Sequence, residues 1–305
     1  MEKQKVSIIT INYNNLAGLK KTRESIVCQT YDNYEWIVID GGSTDGAKEF
    51  LQEHEDEMSY WCSEKDSGVY NAQNKGTSRA SGDYCIFMNS GDGFYSEDVL
   101  EKVFSVIHND DVLYGDWVQV FPDGRKRFIE PSNQADYAFF FVDNICHQAM
   151  FIKTSLLKES PYDESYRLYA DWAKWTEFAY KGKTFKYIHQ RICCFMMDGM
   201  SAENEENNAR ERKRVIEEYY PGSLKTMMTR WKEFTVAQNQ LLRDSQIENQ
   251  QNQSRNQQTM QMIADEIRKL RKKNAKHLRQ LRYFIYINVA LVLSLIIIVG
   301  YLCSH

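Results

Sequence analysis

The stretch GDYCIFMNSGDGF (82–94) runs an apolar segment straight into Asn89-Ser90-Gly91-Asp92. A carboxylate among small polar residues at a strand exit suits a divalent cation that bridges phosphate oxygens, since Mg²⁺ and Mn²⁺ take one or two protein acids and leave the rest of their shell to substrate and water. Two further acids occupy comparable places. Asp40 ends an apolar run in VIDGGSTDG, ahead of two glycines. Asp66 and Gly68 lead into a helical stretch that carries Asn71 and Asn74 three apart, on one face. Neither G-x-G-x-x-G nor G-x-x-x-x-G-K-[ST] is present, so a glycine-rich nest is not expected to hold the phosphates. A cation at Asp92 would instead neutralise a departing diphosphate.

The elements that must position these groups are legible in the period of the apolar residues. Runs at 6–11, 36–40, 84–89 and 111–121 have strand length and strand composition, and 16–29, 44–54 and 69–80 have helical spacing. Ser43, Thr44 and Asp45 stand where a helix cap is expected. Alternating strands and helices predict an α/β domain with a largely parallel sheet. In such sheets ligands bind outside the carboxyl ends of the strands, which would gather Asp40, Asp66 and Asp92 at one edge.

The chain has 305 residues and a formal net charge of −4, which argues against a nucleic-acid partner. Its seven cysteines are scattered without metal spacing, as expected of reduced thiols. The opening MEKQKVSIIT has no apolar core and does not read as a signal peptide. Three segments are expected: an α/β domain over 1–222, a polar and basic helical stalk over 223–282, and a transmembrane anchor over 283–305. The residues 284–303 carry no charge, and at about 1.5 Å per residue they span a bilayer core. Arg268, Lys269, Arg271, Lys272, Lys273, Lys276, Arg279 and Arg282 precede that span. The excess places the large domain on the cytoplasmic side and would hold the stalk against anionic headgroups. Met260, Ile263, Ile267, Leu270 and Leu281 keep heptad spacing with Asn274 and His277 between them. Both a homodimeric coiled coil and a lone solvated helix fit that pattern.

VSIITINYNN, WIVIDGGSTDG, EKDSGVYNAQNKGTSRASGDY and FMNSGD, in this order and spacing, resemble the successive motifs of the family 2 glycosyltransferases, over roughly residues 5–220. The branch resembled carries D-x-G-x-Y-x-A-x-N-K-G. The resemblance implies a GT-A fold, a nucleotide-sugar donor (usually a UDP-sugar), and Mn²⁺ or Mg²⁺. Carried over by position, it puts Thr10 and Tyr13 beside the nucleotide base, has Asp40 accept from the base imide, and assigns Asp66 to the nucleoside pocket. Asn89 to Asp92 stand in place of the metal motif, with Gly91 where an acid is common and Asp92 as the ligand. Asp171, in ADW, matches the acid that deprotonates the acceptor hydroxyl in an inverting displacement. His147 would touch phosphate or acceptor, and Asp198 and Ser201 would belong to a closing loop.

Q-x-x-R-W, the processive signature, is absent, so single additions to a lipid-linked or saccharide acceptor are expected. The competing reading is a catalytically weak homologue that serves as a membrane-tethered assembly or nucleotide-sugar-binding protein. A nicotinamide oxidoreductase lacks its fingerprint here.

Overall fold

The computed structural model describes residues 3–197 and 205–230 continuously, and scattered positions between 232 and 282. The chain divides into two units, Met1–Arg230 and Trp231–His305. In the second, the described residues are helical, and Met260 and Ile263 of the predicted seam are exposed. Among the described residues no helix is long and apolar enough to cross a membrane. The predicted anchor at 283–305 lies outside the described residues, as do Asp198 and Ser201.

The first unit begins with β1 (Val6–Asn12), α1 (Leu16–Val27), β2 (Tyr34–Asp40), α2 (Ala47–Glu53), β3 (Tyr60–Ser63), α3 (Val69–Arg79) and β4 (Tyr84–Phe87). The short β5 (Gly93–Phe94), α4 (Val99–Phe104), β6 (Val112–Val120) and β7 (Lys126–Ile129) come next. It ends with α5 (Phe139–Val142), β8 (Met150–Lys153), α6 (Thr154–Glu159), α7 (Ala170–Tyr180), β9 (Phe185–Met196) and α8 (Glu205–Tyr219). The strands form one sheet in the order β3-β2-β1-β4-β8-β6-β9-β5, with β7 on β6. β3, β2, β1 and β4 pair in parallel; β8 is antiparallel to both β4 and β6, and β9 is parallel to β6. These pairings aim β1 to β4, β6 and β9 the same way, so their carboxyl ends share one edge.

β1, β2 and β4 are apolar on both faces and almost wholly buried, as strands covered by helices on both sides must be. Trp36, Phe87, Trp172 and Trp175 fill the core around them. The predicted helix at 44–54 starts later, at Ala47, because Asp45 acts ahead of it: its carboxylate accepts from Ala47 N and also from Leu16 N at the start of α1. β3, β5, β7, β8 and β9 have no counterpart in the predicted strands. β3 is short and nowhere fully buried. β9 contains His189 at φ +50° and two register irregularities against β6, which break its period.

Candidate functional site

A cavity of about 830 Å³ opens at the carboxyl edge of the sheet. Its wall includes Asn12, Tyr13, Gly41, Asp66, Asn89 and Ser90. Three predicted site residues, Tyr13, Asp66 and Asn89, therefore come together; Thr10, Asp40, Asn74, Gly91, Asp92, His147 and Asp171 do not line it.

Thr10 is fully buried and its hydroxyl accepts from Trp36 Nε1 at 2.9 Å. It is a core residue, not a contact for the base. Asp40 is also fully buried, and its carboxylate accepts from Asn12 Nδ2 (2.7 Å), Ser43 Oγ (2.5 Å), Ser43 N (2.9 Å) and Ser63 Oγ (2.6 Å). Burial alone would raise its pKa, but the donors from Ser43, Ser63 and Asn12 outweigh burial and hold it below the usual carboxylate range. Asp40 thus ties the exits of β1, β2 and β3 together, and its carboxylate is spent on the protein. The base-imide role expected of it has no support in this geometry. Its consequence for the pocket is indirect. The Asn12 amide must turn Nδ2 to the carboxylate, so Oδ1 is left buried without a partner on the cavity wall.

The same arrangement recurs at the β4 exit. His147 Nδ1 lies 3.2 Å from Asp171 Oδ2, and Nε2 lies 3.0 Å from Asn89 Nδ2. With Nδ1 facing the Asp171 carboxylate, the tautomer that fits both contacts carries its proton on Nδ1, and Nε2 accepts from the Asn89 amide. Asn89 Oδ1 is then buried and unpartnered, as is Ser90 Oγ. Gly91 sits at φ +107° and its N–H donates to Thr22 Oγ1 at 3.0 Å. That left-handed backbone favours glycine and explains why no acid stands there.

Asp92 is 6% exposed, and its carboxylate accepts from Gln148 Nε2 (2.7 Å) and Met196 N (3.1 Å). Among the described residues no group of three or more His, Cys, Asp or Glu side chains could hold a metal ion. The unpartnered oxygens Asn89 Oδ1 and Ser90 Oγ do suit a hard cation that draws most of its ligands from substrate and water. These two neutral oxygens, with Asp92 in the same turn, are the groups at this exit that could contribute to a cation site.

Asp171 opens α7, where its Oδ1 accepts from Trp172 N (2.7 Å) and from the buried Tyr70 hydroxyl (3.4 Å). Burial, and next the Asp171 charge, push the Tyr70 phenol well above its ordinary value. Asn74 binds the backbone of Tyr162 in both directions and joins Asn71 on the Glu164 carboxylate. These donors, Asn74 first, lower the Glu164 pKa. From the other side Glu211 of α8 accepts the backbone N–H groups of Arg167 (2.7 Å), Leu168 (2.9 Å) and Tyr169 (3.0 Å). The loop that carries Arg167 into α7 is thus held at both ends, while Arg167 and Lys65 line the cavity without a carboxylate partner among the described residues. Gln148, Glu164, Arg167 and Glu211 were not singled out in the sequence; Asn12, within VSIITINYNN, stood in a motif without a role, and Gln148 and Arg167 lay beside His147 and Asp171.

Residues 7–191 match the model of Glycosyl transferase family 2. A "PGL/p-HBAD biosynthesis glycosyltransferase" of Mycobacterium bovis is 32% identical over 174 residues, 54% of this chain and 66% of that protein. An uncharacterised glycosyltransferase of Mycobacterium tuberculosis is 43% identical over 103 residues, 33% of this chain and 39% of its own length. The chain thus spans less than two thirds of each of these relatives. Staphylococcus aureus TarS 1–349 in complex with UDP-GlcNAc superimposes with a TM-score of 0.57 at 16% identity, covering 73% of this chain and 70% of that one. A Pyrobaculum calidifontis mannosyltransferase in complex with GDP-Man and Mn²⁺ gives 0.50 at 16% identity, covering 70% and 61%. At these identities the likeness shows the shared GT-A fold. Strand-end pocket, fold and sequence model lead to one conclusion: this chain belongs to glycosyltransferase family 2.

Proposed function

We propose that the chain transfers a sugar from a nucleoside diphosphate donor, a UDP-sugar first among them, to a lipid-linked or saccharide acceptor, one addition per encounter, with inversion. The observation that carries this is the continuous connection Asp171–His147–Asn89, which joins the carboxylate expected to act as base to the exit loop expected to meet the donor phosphates. Asp171 takes the acceptor hydroxyl proton, the acceptor oxygen forms its bond to the anomeric carbon, and the bond from that carbon to the diphosphate breaks. His147 holds the carboxylate in orientation. Arg167 and Lys65 face the departing diphosphate, and Glu211 keeps the Arg167 backbone in place. Asn89 Oδ1 and Ser90 Oγ, with Asp92 in the same turn, would hold a divalent cation. Such an ion would supply charge neutralisation of the diphosphate. TarS and the mannosyltransferase, which have been seen with UDP-GlcNAc and with GDP-Man and Mn²⁺, lend support to a nucleotide-sugar donor and a divalent ion.

The acceptor reading rests on the apolar segment 284–303 and the basic residues from Arg268 to Arg282. Together they would tether the catalytic unit at the cytoplasmic face, where donor chemistry and a lipid-borne hydroxyl meet. The test is incorporation of label from radioactive nucleotide sugars into an organic extract of bacterial membranes, using the full chain in lipid–detergent micelles. Lipid-extractable label that is lost in Asp171→Asn is expected. Nucleotide release without labelled lipid would remove the lipid acceptor from the proposal.

A further inference from the structure

A second cavity, of about 270 Å³, lies among β6, β9 and α4 and shares no wall residue with the cavity at the carboxyl edge. Tyr95, Ser96, Lys102, Asp116, His189 and Arg191 line it. An irregular stretch of the β6–β9 pairing shapes it. The register shifts on both sides of Asp116, and Gly115 lets the two strands close up there: a Cβ on it would stand 2.3 Å from the carbonyl oxygen of Gln190. His189 takes the left-handed φ of +50°, which is strained for a residue with a side chain. Such irregularities re-aim side chains. The His189 ring packs on Tyr187, with centroids 4.1 Å apart, and the Tyr187 hydroxyl donates to Asp116 Oδ1. The Arg191 guanidinium lies over the rings of Tyr95 (5.5 Å) and Phe128 (5.1 Å), and its Nη1 donates to the Tyr95 hydroxyl at 3.3 Å. Aromatic rings thus hold each of these polar groups in place.

The charges of this wall nearly cancel. Lys102 is paired with Asp98 at 2.8 Å. Asp116 and Arg191 are register partners, yet among the described residues no ion pair joins them. An oxyanion would meet the Asp116 carboxylate with no excess of positive charge to offset it. A hydroxyl both donates and accepts, so neighbouring sugar hydroxyls can donate to Asp116 and accept from Arg191, with His189 and Ser96 as further partners. We propose that this cavity is a second saccharide site, which grips sugar units of the acceptor remote from the hydroxyl that reacts. Arg191 stands five residues before Met196, whose N–H holds Asp92. At about 3.3 Å per residue that is roughly 17 Å of strand, so an acceptor engaging both places must be an extended chain. The proposal rests on the saccharide-acceptor reading above and adds a preference for long acceptors.

Calorimetric titration of the full chain in detergent with chitotetraose, cellotetraose, maltotetraose and mannotetraose, and separately with inorganic phosphate and with UDP, tests it. At least one tetrasaccharide is expected to bind. Arg191→Ala and Asp116→Asn are each expected to weaken it by at least about tenfold, a factor worth about 1.4 kcal/mol, and to leave UDP affinity unchanged. The two variants are independent, so failure of one to fold leaves the other to decide. Binding of no tetrasaccharide, or binding that the folded variants keep, overturns the proposal. Phosphate binding that is lost in Arg191→Ala while no tetrasaccharide binds overturns it too, and makes the cavity an anion site. Sugar transfer by a chain that binds no tetrasaccharide would sink this site and leave the proposed function standing. Tetrasaccharide binding sensitive to both variants in a chain that takes no UDP would support the site and count against the donor reading.

Discussion

Glu35, at the amino end of the sheet, gives a quantitative test of how the strands beneath the site are held in register. Its carboxylate is 6% exposed and accepts from Lys5 Nζ (2.8 Å), Ser7 Oγ (2.6 Å), Ser81 N (2.5 Å) and Ser81 Oγ (2.8 Å). It therefore joins β1, β2 and the turn into β4, whose opposite ends form the cavity wall. Burial opposes ionisation, but the donors from Lys5, Ser7 and Ser81 prevail and lower the pKa from 4.5 to about 2. That difference is worth about 3 kcal/mol of folding stability. Because the folded value is depressed, the stabilisation is fully present above pH 4.5 and is lost as pH falls towards 2, with about half gone near pH 3.

Urea unfolding followed by tryptophan fluorescence, for wild type and Glu35→Gln between pH 7 and pH 3, reads this directly. The gap between the two proteins is expected to be about 3 kcal/mol at pH 7 and to narrow steadily below pH 4.5. A gap that stays constant down to pH 3 would refute the charged network as its source.

Other expectations follow from the site. Thr10→Val leaves the Trp36 indole N–H without its acceptor and should cost about 1–3 kcal/mol in urea unfolding; nucleotide affinity should not move, since Thr10 is away from the cavity. Asp171→Asn should reduce transfer by about 10²–10⁴ with nucleotide affinity retained in calorimetry. Glu211→Ala removes the acceptor of three backbone N–H groups ahead of α7; faster amide exchange at Arg167 to Tyr169 and weaker diphosphate binding are expected.

The α/β layering and the carboxyl-edge location of the site were readable because β1, β2 and β4 are continuous apolar runs that end in turn formers. The elements that closed the site were harder to see. Asp40 looked like a ligand contact because it precedes two glycines. What occupies it includes Ser63, which lies 23 residues onward at the end of a strand without a clear period. His147 and Asp171 were both visible as candidates, yet their contact depends on a loop held by Asn74, Glu164 and Glu211. Long-range carboxylates of this kind leave no local spacing to read. The Asn12 oxygen was hidden for a related reason: its orientation is dictated by the Asp40 carboxylate across the sheet, and residue type alone does not fix it.

The most direct measurement is release of nucleoside diphosphate from a panel of UDP-, dTDP- and GDP-sugars by the full chain, with Mn²⁺ or Mg²⁺, alongside Asp171→Asn and a variant of the exit loop, Asn89→Ala. Release from one class of donor, stimulated by an acceptor extract and lost in both variants, is expected. Release that both variants retain would contradict the assignment of the Asp171–His147–Asn89 connection as the catalytic centre.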